Sequence, residues 1–457
     1  MSVEIATSDS FRDGRIASIV DALPETDFTA KVLLQDLPPG QQIFYRIRFQ
    51  DLFFPTIFGE PQVGSFRTAP RDPRTVRFVW SGDTAGQGWG IDESRGGMRS
   101  YATMLRNRPD FFIHSGDAIY ADCPIPAKVA LPDGQIWRNL VTEEKSRVAE
   151  SIADFRGNYK YNLLDHNVRA FNAEIPQLVQ WDDHEVTDDW WPDATLQEPY
   201  RNASALLLAA HGRRAFHEFT PTRMNPAESG RVYRTISYGP LLDIFVLDMR
   251  SYRGPNTRSD SKDYLPTNYL LGPVQLGWLK RALSSSRATW KVIAADMPIG
   301  LISVDAIAQG DGEAQGREIE IAELLRFIKH AGIRNTVWLT ADMHYTAAHR
   351  YDPNAAVFQD FDPFWEFVSG PLHAGTWGPA QLDNTFGPEV MFQEGCTEAQ
   401  GDNLAPCFGL QFFGVVTIDG ATRVMTVALK DVKDQQLWSI DLEPLPAGPG
   451  KVRSSQS

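Results

Sequence analysis

The sequence predicts an α/β fold, and three observations carry that prediction. Between residues 76 and 342, six short apolar runs alternate with helical patterns. Each run is bounded at its far end by an aspartate. On both sides of this region, residues 1–70 and 410–442 show the period-two alternation of antiparallel strands. Strand–helix alternation implies layered α/β architecture. Sites in such sheets lie beyond the carboxyl ends of the strands.

The elements follow in chain order. Residues 30–34 and 42–49 alternate apolar and polar side chains, with Pro38, Pro39 and Gly40 turning the chain between them. Residues 63–68 read as a closing strand, and residues 70–73 as a linker. Four or five strands can be counted here, fewer than the roughly seven of a small β-sandwich. The expectation is an incomplete immunoglobulin- or fibronectin-like sandwich over 1–70, with further strands before Met1. The domain expected over 75–443 has strands at 76–80, 110–114, 177–181, 243–247, 290–295 and 335–340. Leu276, Leu279 and Leu283 share one helical face. So do Ile321, Leu324, Leu325 and Ile328, with Gly332 as a cap. Strands at 414–418 and 424–429 form a late hairpin that completes the core. The tail at 444–457 reads as disordered, because Pro, Gly and Ser leave little to pack.

Bulk properties narrow the function. The chain has 457 residues, 42% hydrophobic and 22% charged, with net charge −14. The acidic balance argues against a nucleic-acid groove, yet permits an anionic substrate if cations reverse the local field. No apolar run is long enough to span a bilayer. Three cysteines exclude a four-thiolate zinc site. Cys396 and Cys407 flank a polar loop and are expected to pair as a disulfide, against the alternative of two unrelated thiols. The segment after Met1 has no basic start and no apolar core, so no signal peptide is read in it. Oligomeric state is not legible.

The chemistry sits at the strand ends. In GDAIYAD (116–122), Asp117 can bridge two cations. Tyr120 can offer a phenolate, a hard donor that suits a ferric ion. WDDHE (181–185) places three acids beside His184, an arrangement costly to pack without cations. His184 can protonate a leaving oxygen. In DMH (342–344), alternation aims Asp342 and His344 to one side, giving an oxygen and a nitrogen ligand. Asp83 adds a carboxylate. In DMR (248–250), Arg250 can fork onto phosphate oxygens, or Asp248 can orient it. Asp296 is the sixth strand-end acid. Asp248 and Asp296 are weighed equally as metal contacts and as structural groups. His373, Trp377 and Phe367 are candidates for lining a substrate pocket.

These segments, SGDTAG, HSGDAIYAD, WDDHEVTDD, LDMRSYR, LGPVQLGWLKRAL, TADMHYT and FVSGPLHAGTWGP, run in order from Ser81 to Pro379. Together they resemble the alkaline phosphatase D (PhoD-like) family of calcineurin-like metallophosphatases. The resemblance implies a metallophosphatase-type α/β sandwich of mixed sheets with helices outside. It implies an exported enzyme, periplasmic or secreted, and a start that lies downstream of the native one. It implies Fe(3+) held by a tyrosinate, together with Ca(2+). Carried onto this chain, Asp117 bridges metals, Tyr120 ligates iron, and Asp342 and His344 complete the shell. Asp183 stands where the superfamily's Asn–His pair has Asn, beside His184. Asp188 or Asp189 could instead supply that ligand. Two departures bear on metal identity. Asp83 replaces the thiolate of some members, and Asp296 replaces a histidine, which favours calcium.

The reaction implied is hydrolysis of a small-molecule or lipid phosphoester, monoester or diester, by in-line attack of a metal-bound hydroxide. A phospholipase-type phosphodiesterase would use the same core with a wider pocket. A non-catalytic metal-binding or adhesion module would have no need of six strand-end acids.

Overall fold

A computed structural model describes residues 1–201, 204–256, 269–302, 307–308 and 312–446. The predicted disordered tail falls outside these residues from 447 onward.

Strands β1 (Ser2–Ala6), β2 (Arg15–Ile19), β3 (Gln42–Arg48) and β4 (Gln62–Arg67) make one antiparallel sheet in the order β2-β1-β3-β4. The expected partial sandwich is therefore a single four-stranded sheet. The predicted strand at residues 30–34 does not pair. Val32 and Leu34 pack instead, with Leu37, against buried Val3, Ile5 and Ile43. Lys31 Nζ donates to the Thr222 carbonyl at 2.9 Å and draws this segment toward the larger domain. An apolar cover supplied by an irregular segment replaces the missing second sheet.

The larger domain begins with β5 (Val76–Ser81), α1 (Arg99–Arg106) and β6 (Phe111–Ser115). A short hairpin, β7 (Lys128–Ala130) and β8 (Ile136–Arg138), follows. Then come α2 (Ile152–Asn162), α3 (His166–Glu174), β9 (Gln177–Gln180) and α4 (Ala205–Phe219). The second half holds β10 (Arg234–Ser237), β11 (Leu242–Val246), α5 (Gly272–Ser285), β12 (Trp290–Ala294) and α6 (Glu318–His330). It continues through β13 (Thr336–Thr340), β14 (Thr346–Tyr351), β15 (Phe364–Val368) and β16 (Pro388–Glu394). The chain closes on β17 (Phe412–Ile418), β18 (Met425–Asp431) and β19 (Gln436–Leu442), one strand more than the predicted hairpin.

Two mixed sheets result, ordered β10-β11-β12-β13-β15-β14-β16 and β19-β18-β17-β5-β6-β9. Neighbours β11-β12-β13-β15 run parallel, as do β5-β6-β9. The sheets pack face to face through Phe78, Trp80 and Ile113 on one side and Ile244, Val292 and Leu339 on the other. Each Val, Leu or Ile buried this way contributes about 1.5–3 kcal/mol. The outer faces are covered by helices. Leu276, Leu279 and Leu283 of α5 pack with Ile321, Leu324 and Leu325 of α6. Tyr101 and Met104 of α1 pack with Val168 and Phe171 of α3 under Val79 and Phe112. Gly332 (φ 66°) caps α6, and Ile333 N–H returns to the Ile328 carbonyl at 3.0 Å. The small sheet leans on this domain where Tyr45 Oη donates to the Ala173 carbonyl of α3 at 2.8 Å.

The expected Cys396–Cys407 disulfide is not formed, and all three cysteines are free thiols. Cys396 is buried and turns its thiol to the Thr376 carbonyl at 3.1 Å. Cys407 packs beside the cluster of Trp89, Leu131 and Trp137.

Candidate metal centre

The strand ends of both sheets converge on one point. Asp83 follows β5, Asp117 follows β6, and residues 182–185 follow β9. From the other sheet, Asp342 and His344 follow β13. Asp83, Asp117, Asp342 and His344 all have left-handed backbones, with φ of 68°, 53°, 65° and 56°. Such conformations cost about 1–3 kcal/mol each and persist where the surroundings over-determine them. Here they turn the side chains off the strand axis and into the gap between the sheets. Two glycines permit the crowding. A Cβ at Gly370 would lie 2.1 Å from Asp83 Oδ2, and one at Gly116 (φ 105°) 2.5 Å from Asp182 Cβ.

Among the described residues, candidate ligand atoms gather in five groups, each within 4.8 Å, and three of them overlap at the centre of the site: Asp83, Asp117 and His344; Asp117, Asp183 and His184; Asp117, Asp182, Asp183 and Asp342. Asp117 belongs to all three. Both Asp83 oxygens are buried and accept no hydrogen bond. Burial, reinforced by the Asp182 carboxylate, pushes the Asp83 carboxyl well above its usual range, and burial does the same to Asp117. Buried carboxylates without donors are costly. An oxygen-rich set of this kind suits one or more hard cations, so the residues present fit a metal site.

His344 is oriented by its backbone surroundings. Its Nδ1 lies 2.5 Å from the Gly375 carbonyl, which can only accept, so Nδ1 carries the proton. Burial lowers its pKa to about 4, which keeps the ring neutral. The free lone pair is then on Nε2, 2.8 Å from Tyr120 Oη and 3.5 Å from Asp83 Oδ1. A carbonyl behind an imidazole is a common way of aiming a metal-ligating nitrogen. Burial, then Asp117, pushes the Tyr120 phenol well above its ordinary value. Ionising it here requires a cation.

His184 is arranged differently. Its Nδ1 is 2.8 and 3.0 Å from the two oxygens of Asp122, so Nδ1–H donates to that carboxylate. Burial alone would lower its pKa, but Asp122, Asp183 and Asp117 together raise it well above 6.5. The ring stacks on Tyr120 with centroids 4.2 Å apart. His184 is thereby held as a cation with a second proton on Nε2, 3.7 Å from Asp188 Oδ1. Its backbone N–H donates to Asp183 Oδ1 at 2.9 Å. Asp189 N–H reaches Asp183 Oδ2 at 2.7 Å.

The predicted residues divide into two sets. Asp83, Asp117, Tyr120, Asp183, His184, Asp342 and His344 come together. Arg250 sits beneath them, fully buried. Its Nε bonds Asp182 Oδ1 at 2.6 Å, and Nη2 is 3.5 Å from Asp183 Oδ2. The cation thus neutralises acids from below, where a substrate phosphate was expected. Asp296 is buried 3.9 Å from the same guanidinium and belongs to none of the converging groups among the described residues. Asp248 Oδ1 accepts from Trp181 Nε1 at 3.0 Å and from the Ser251 N–H at 2.9 Å, which makes it a structural anchor. His373 turns its Nε2 to the Gly90 carbonyl at 2.8 Å, and its ring neighbours Trp137. Trp377 donates its indole N–H to Gln87 at 3.2 Å. Phe367 is buried between the sheets, packed on Trp365 and Trp438, and lines no pocket at the centre.

Three contributors were not singled out. Asp182 joins the ligand group. Asp122 orients His184. Glu185 accepts the backbone N–H groups of Ala118 at 2.6 Å and Asp182 at 2.8 Å, tying two ligand loops together. Burial, opposed by those bonds, raises its pKa to about 8. All three lie inside the two acidic motifs, but their tasks depend on distances no motif encodes.

Known proteins share this family and fold. The family described as PhoD-like phosphatase matches residues 78–429, and its N-terminal domain matches residues 1–70. Alkaline phosphatase D of Bacillus subtilis (strain 168) is 26% identical over 358 residues, which are 75% of this chain and 57% of that protein. The chain thus spans a little over half the length of that relative. Among solved structures, that of PhoD aligns with a TM-score of 0.68 at 21% identity, covering 96% of this chain and 85% of its own. The purple acid phosphatase PPD1 from yellow lupin (Lupinus luteus) seeds aligns with a TM-score of 0.52 at 11% identity, covering 97% of this chain and 69% of its own. At these identities the two structures speak for the fold alone: a mixed α/β sandwich with an N-terminal antiparallel sheet.

Proposed function

The chain belongs to the PhoD-like phosphatase family, and on that premise we propose that it is a metal-dependent phosphoester hydrolase, acting on monoesters, diesters or both. The observation that carries this reading is Asp83: a fully buried carboxylate with no donor to either oxygen, set against Asp117, Tyr120 and His344. The residues we assign to cations are Asp83, Asp117, Tyr120, Asp182, Asp183, Asp342 and His344. Iron beside Tyr120 and calcium among the carboxylates are the metals we favour, since phenolate suits a ferric ion and clustered carboxylates suit calcium. When bound, such cations activate water at neutral pH and neutralise phosphoryl oxygens.

The chain's own groups then divide the remaining work. Asp122 holds His184 by Nδ1, so the Nε2 proton is available to a departing oxygen. Tyr120, stacked on that ring, fixes its plane. Arg250 pairs with Asp182 and Asp183 and holds them in place, and does not itself meet the substrate. Glu185 locks the Asp117 and Asp182 loops to one another. No serine nucleophile is required. An extracytoplasmic location, taken from the sequence resemblance, is part of the same proposal. No helix among the described residues is long and apolar enough to cross a membrane.

The purified protein should hydrolyse p-nitrophenyl phosphate or bis-p-nitrophenyl phosphate and lose that activity on chelation. Their ratio, with and without added calcium, reports ester preference. A visible absorption band that disappears in Tyr120→Phe would support the tyrosinate–iron assignment. A colourless, fully active enzyme would sink it. Absence of hydrolysis of either ester at full metal loading would defeat the hydrolase reading.

A further inference from the structure

Of the five groups of converging ligand atoms among the described residues, one contains sulfur: Asp122, Cys123 and His184, within 4.8 Å of one another. It lies at the edge of the metal centre. Asp122 and Cys123 are half-buried, whereas Asp83 and Asp117 are fully buried, so this edge is open to a cation from solvent. Three features make it more than a chance neighbourhood. First, the two loops that carry it are fixed on each other. Ala121 N–H donates to the His184 carbonyl at 2.8 Å, and Lys145 Nζ donates to the Tyr120 carbonyl at 2.7 Å. Second, the oxygen and nitrogen donors are already paired and aimed. Asp122 accepts the Asp188 N–H at 2.7 Å, and His184 Nδ1 lies 2.8 and 3.0 Å from its two oxygens. Two ligand atoms on one tetrahedral zinc stand roughly 3.3 Å apart, so this pair needs to open by only about half an ångström. Third, the sulfur changes which ion fits. All-oxygen sets suit calcium, whereas a thiolate, an imidazole and one carboxylate suit zinc, with the fourth position left to water.

We propose that Asp122, Cys123 and His184 form an inhibitory site for a thiophilic divalent cation of the zinc class. The role rests on the hydrolase reading above, in which His184 gives a proton to the departing oxygen. Binding exchanges the thiol proton and the Nδ1 proton for the cation, and both protons leave to solvent. Burial pushes the Cys123 thiol up to about 11, so at neutral pH that proton is present to be displaced. The ring keeps its proton on Nε2. It is then a cation-bound neutral imidazole instead of an imidazolium, and it gives that proton up far less readily. Cys123 itself takes no part in hydrolysis. Calcium, a hard ion, does not compete for the thiolate.

The test uses the protein with its resident metals in place, titrated with zinc and separately with cobalt(II). It compares the wild type with Cys123→Ala and Cys123→Ser, which should keep the basal phosphoesterase activity. Zinc should inhibit the wild type, most strongly on esters with poor leaving groups, without releasing the resident metals. Half-inhibition should need about tenfold more zinc, or beyond, in both variants. Cobalt should give the wild type a sulfur-to-cobalt charge-transfer absorption that zinc displaces and both variants lack. The ligands assigned at the metal centre include no sulfur, and Cys396 and Cys407 are common to all three proteins, so the difference reports Cys123. Equal inhibition of all three proteins, inhibition that tracks loss of the resident metals, or a wild type without the cobalt–thiolate band would overturn the proposal. The band needs no turnover, so it stands or falls separately from the hydrolase reading.

Discussion

Asp83 and Asp248 occupy like places, and they have become different things. Each follows a parallel strand at the carboxyl end of its sheet, and each is almost fully buried. Asp248 Oδ1 collects the Trp181 indole and the N–H groups of Arg250 and Ser251. Asp83 collects no hydrogen bond at all. Acids ending β5 and β6 face a gap, while those ending β11 and β12 lie against Trp181 and Arg250. A buried charge must be paired or hydrogen-bonded. For Asp248 Oδ1 the protein supplies the partners. For Asp83 we propose that cations do.

Substitutions should expose this difference, the largest effects at the cation-facing acids. Asp117→Ala removes the carboxylate shared by the three overlapping ligand groups. Phosphoesterase kcat/KM should fall on the order of 10³-fold, with loss of bound metal. His184→Gln leaves the carboxylates but removes the proton donor, and activity should fall about 10²-fold. The loss should be smaller for esters with acidic leaving groups, a dependence that Asp117→Ala would not share.

Asp248→Ala should leave metal content unchanged and cost about 1–3 kcal/mol of stability, by stranding the Trp181 indole and two backbone donors. Asp83→Asn should behave oppositely in metal-stripped protein at a pH where Asp83 is ionised, and stabilise it, because an unpaired buried charge is removed. Chemical denaturation of the two variants after chelation decides between these signs. If Asp83→Asn destabilises the stripped protein as Asp248→Ala does, the contrast between the two acids fails.

The pH dependence of the stripped protein carries the smallest predicted effect. Asp83, Asp117 and Glu185 have raised values in the folded state, Glu185 to about 8, and His184 is raised as well. The folded state therefore binds these protons more tightly than the unfolded chain. The stability gained is full below the unfolded carboxyl values and is lost as pH rises through the folded ones. Stripped protein should be more stable at pH 6 than at pH 8, by about 2 kcal/mol for a single group like Glu185. Metal-loaded protein should lack that slope, since cations take the place of the protons.

Much of this organisation was legible in the sequence. All six strand-end aspartates lie where the apolar runs placed them, because buried parallel strands leave a strong local pattern. That Asp117, His184, Asp342 and His344 come together was legible because each sits at or beside a strand end. What was not legible depends on partners distant in the chain. Arg250 reads as a phosphate clamp until Asp182, 68 residues away, is seen against its guanidinium. The bond of His373 to the Gly90 carbonyl is likewise set by a residue far away in the chain. The N-terminal region was misread for a related reason. Residues 30–34 alternate as a strand does, but Lys31 is tied to Thr222 and the segment becomes a cover for the sheet. The spacing of Cys396 and Cys407 likewise suggested a bridge, whereas Cys396 is satisfied by a carbonyl.

The central claim is that Asp83, Asp117 and the acids grouped with them are cation ligands, whereas Asp248 is an anchor held by the protein's own donors. Metal analysis of the wild type beside Asp117→Ala and Asp248→Ala, purified identically, tests it most directly. The account predicts metal in the wild type and Asp248→Ala in equal amount, and loss of metal with loss of phosphoesterase activity in Asp117→Ala. A metal-free wild type that remains fully active, or an Asp117→Ala protein that keeps its metal, would contradict it.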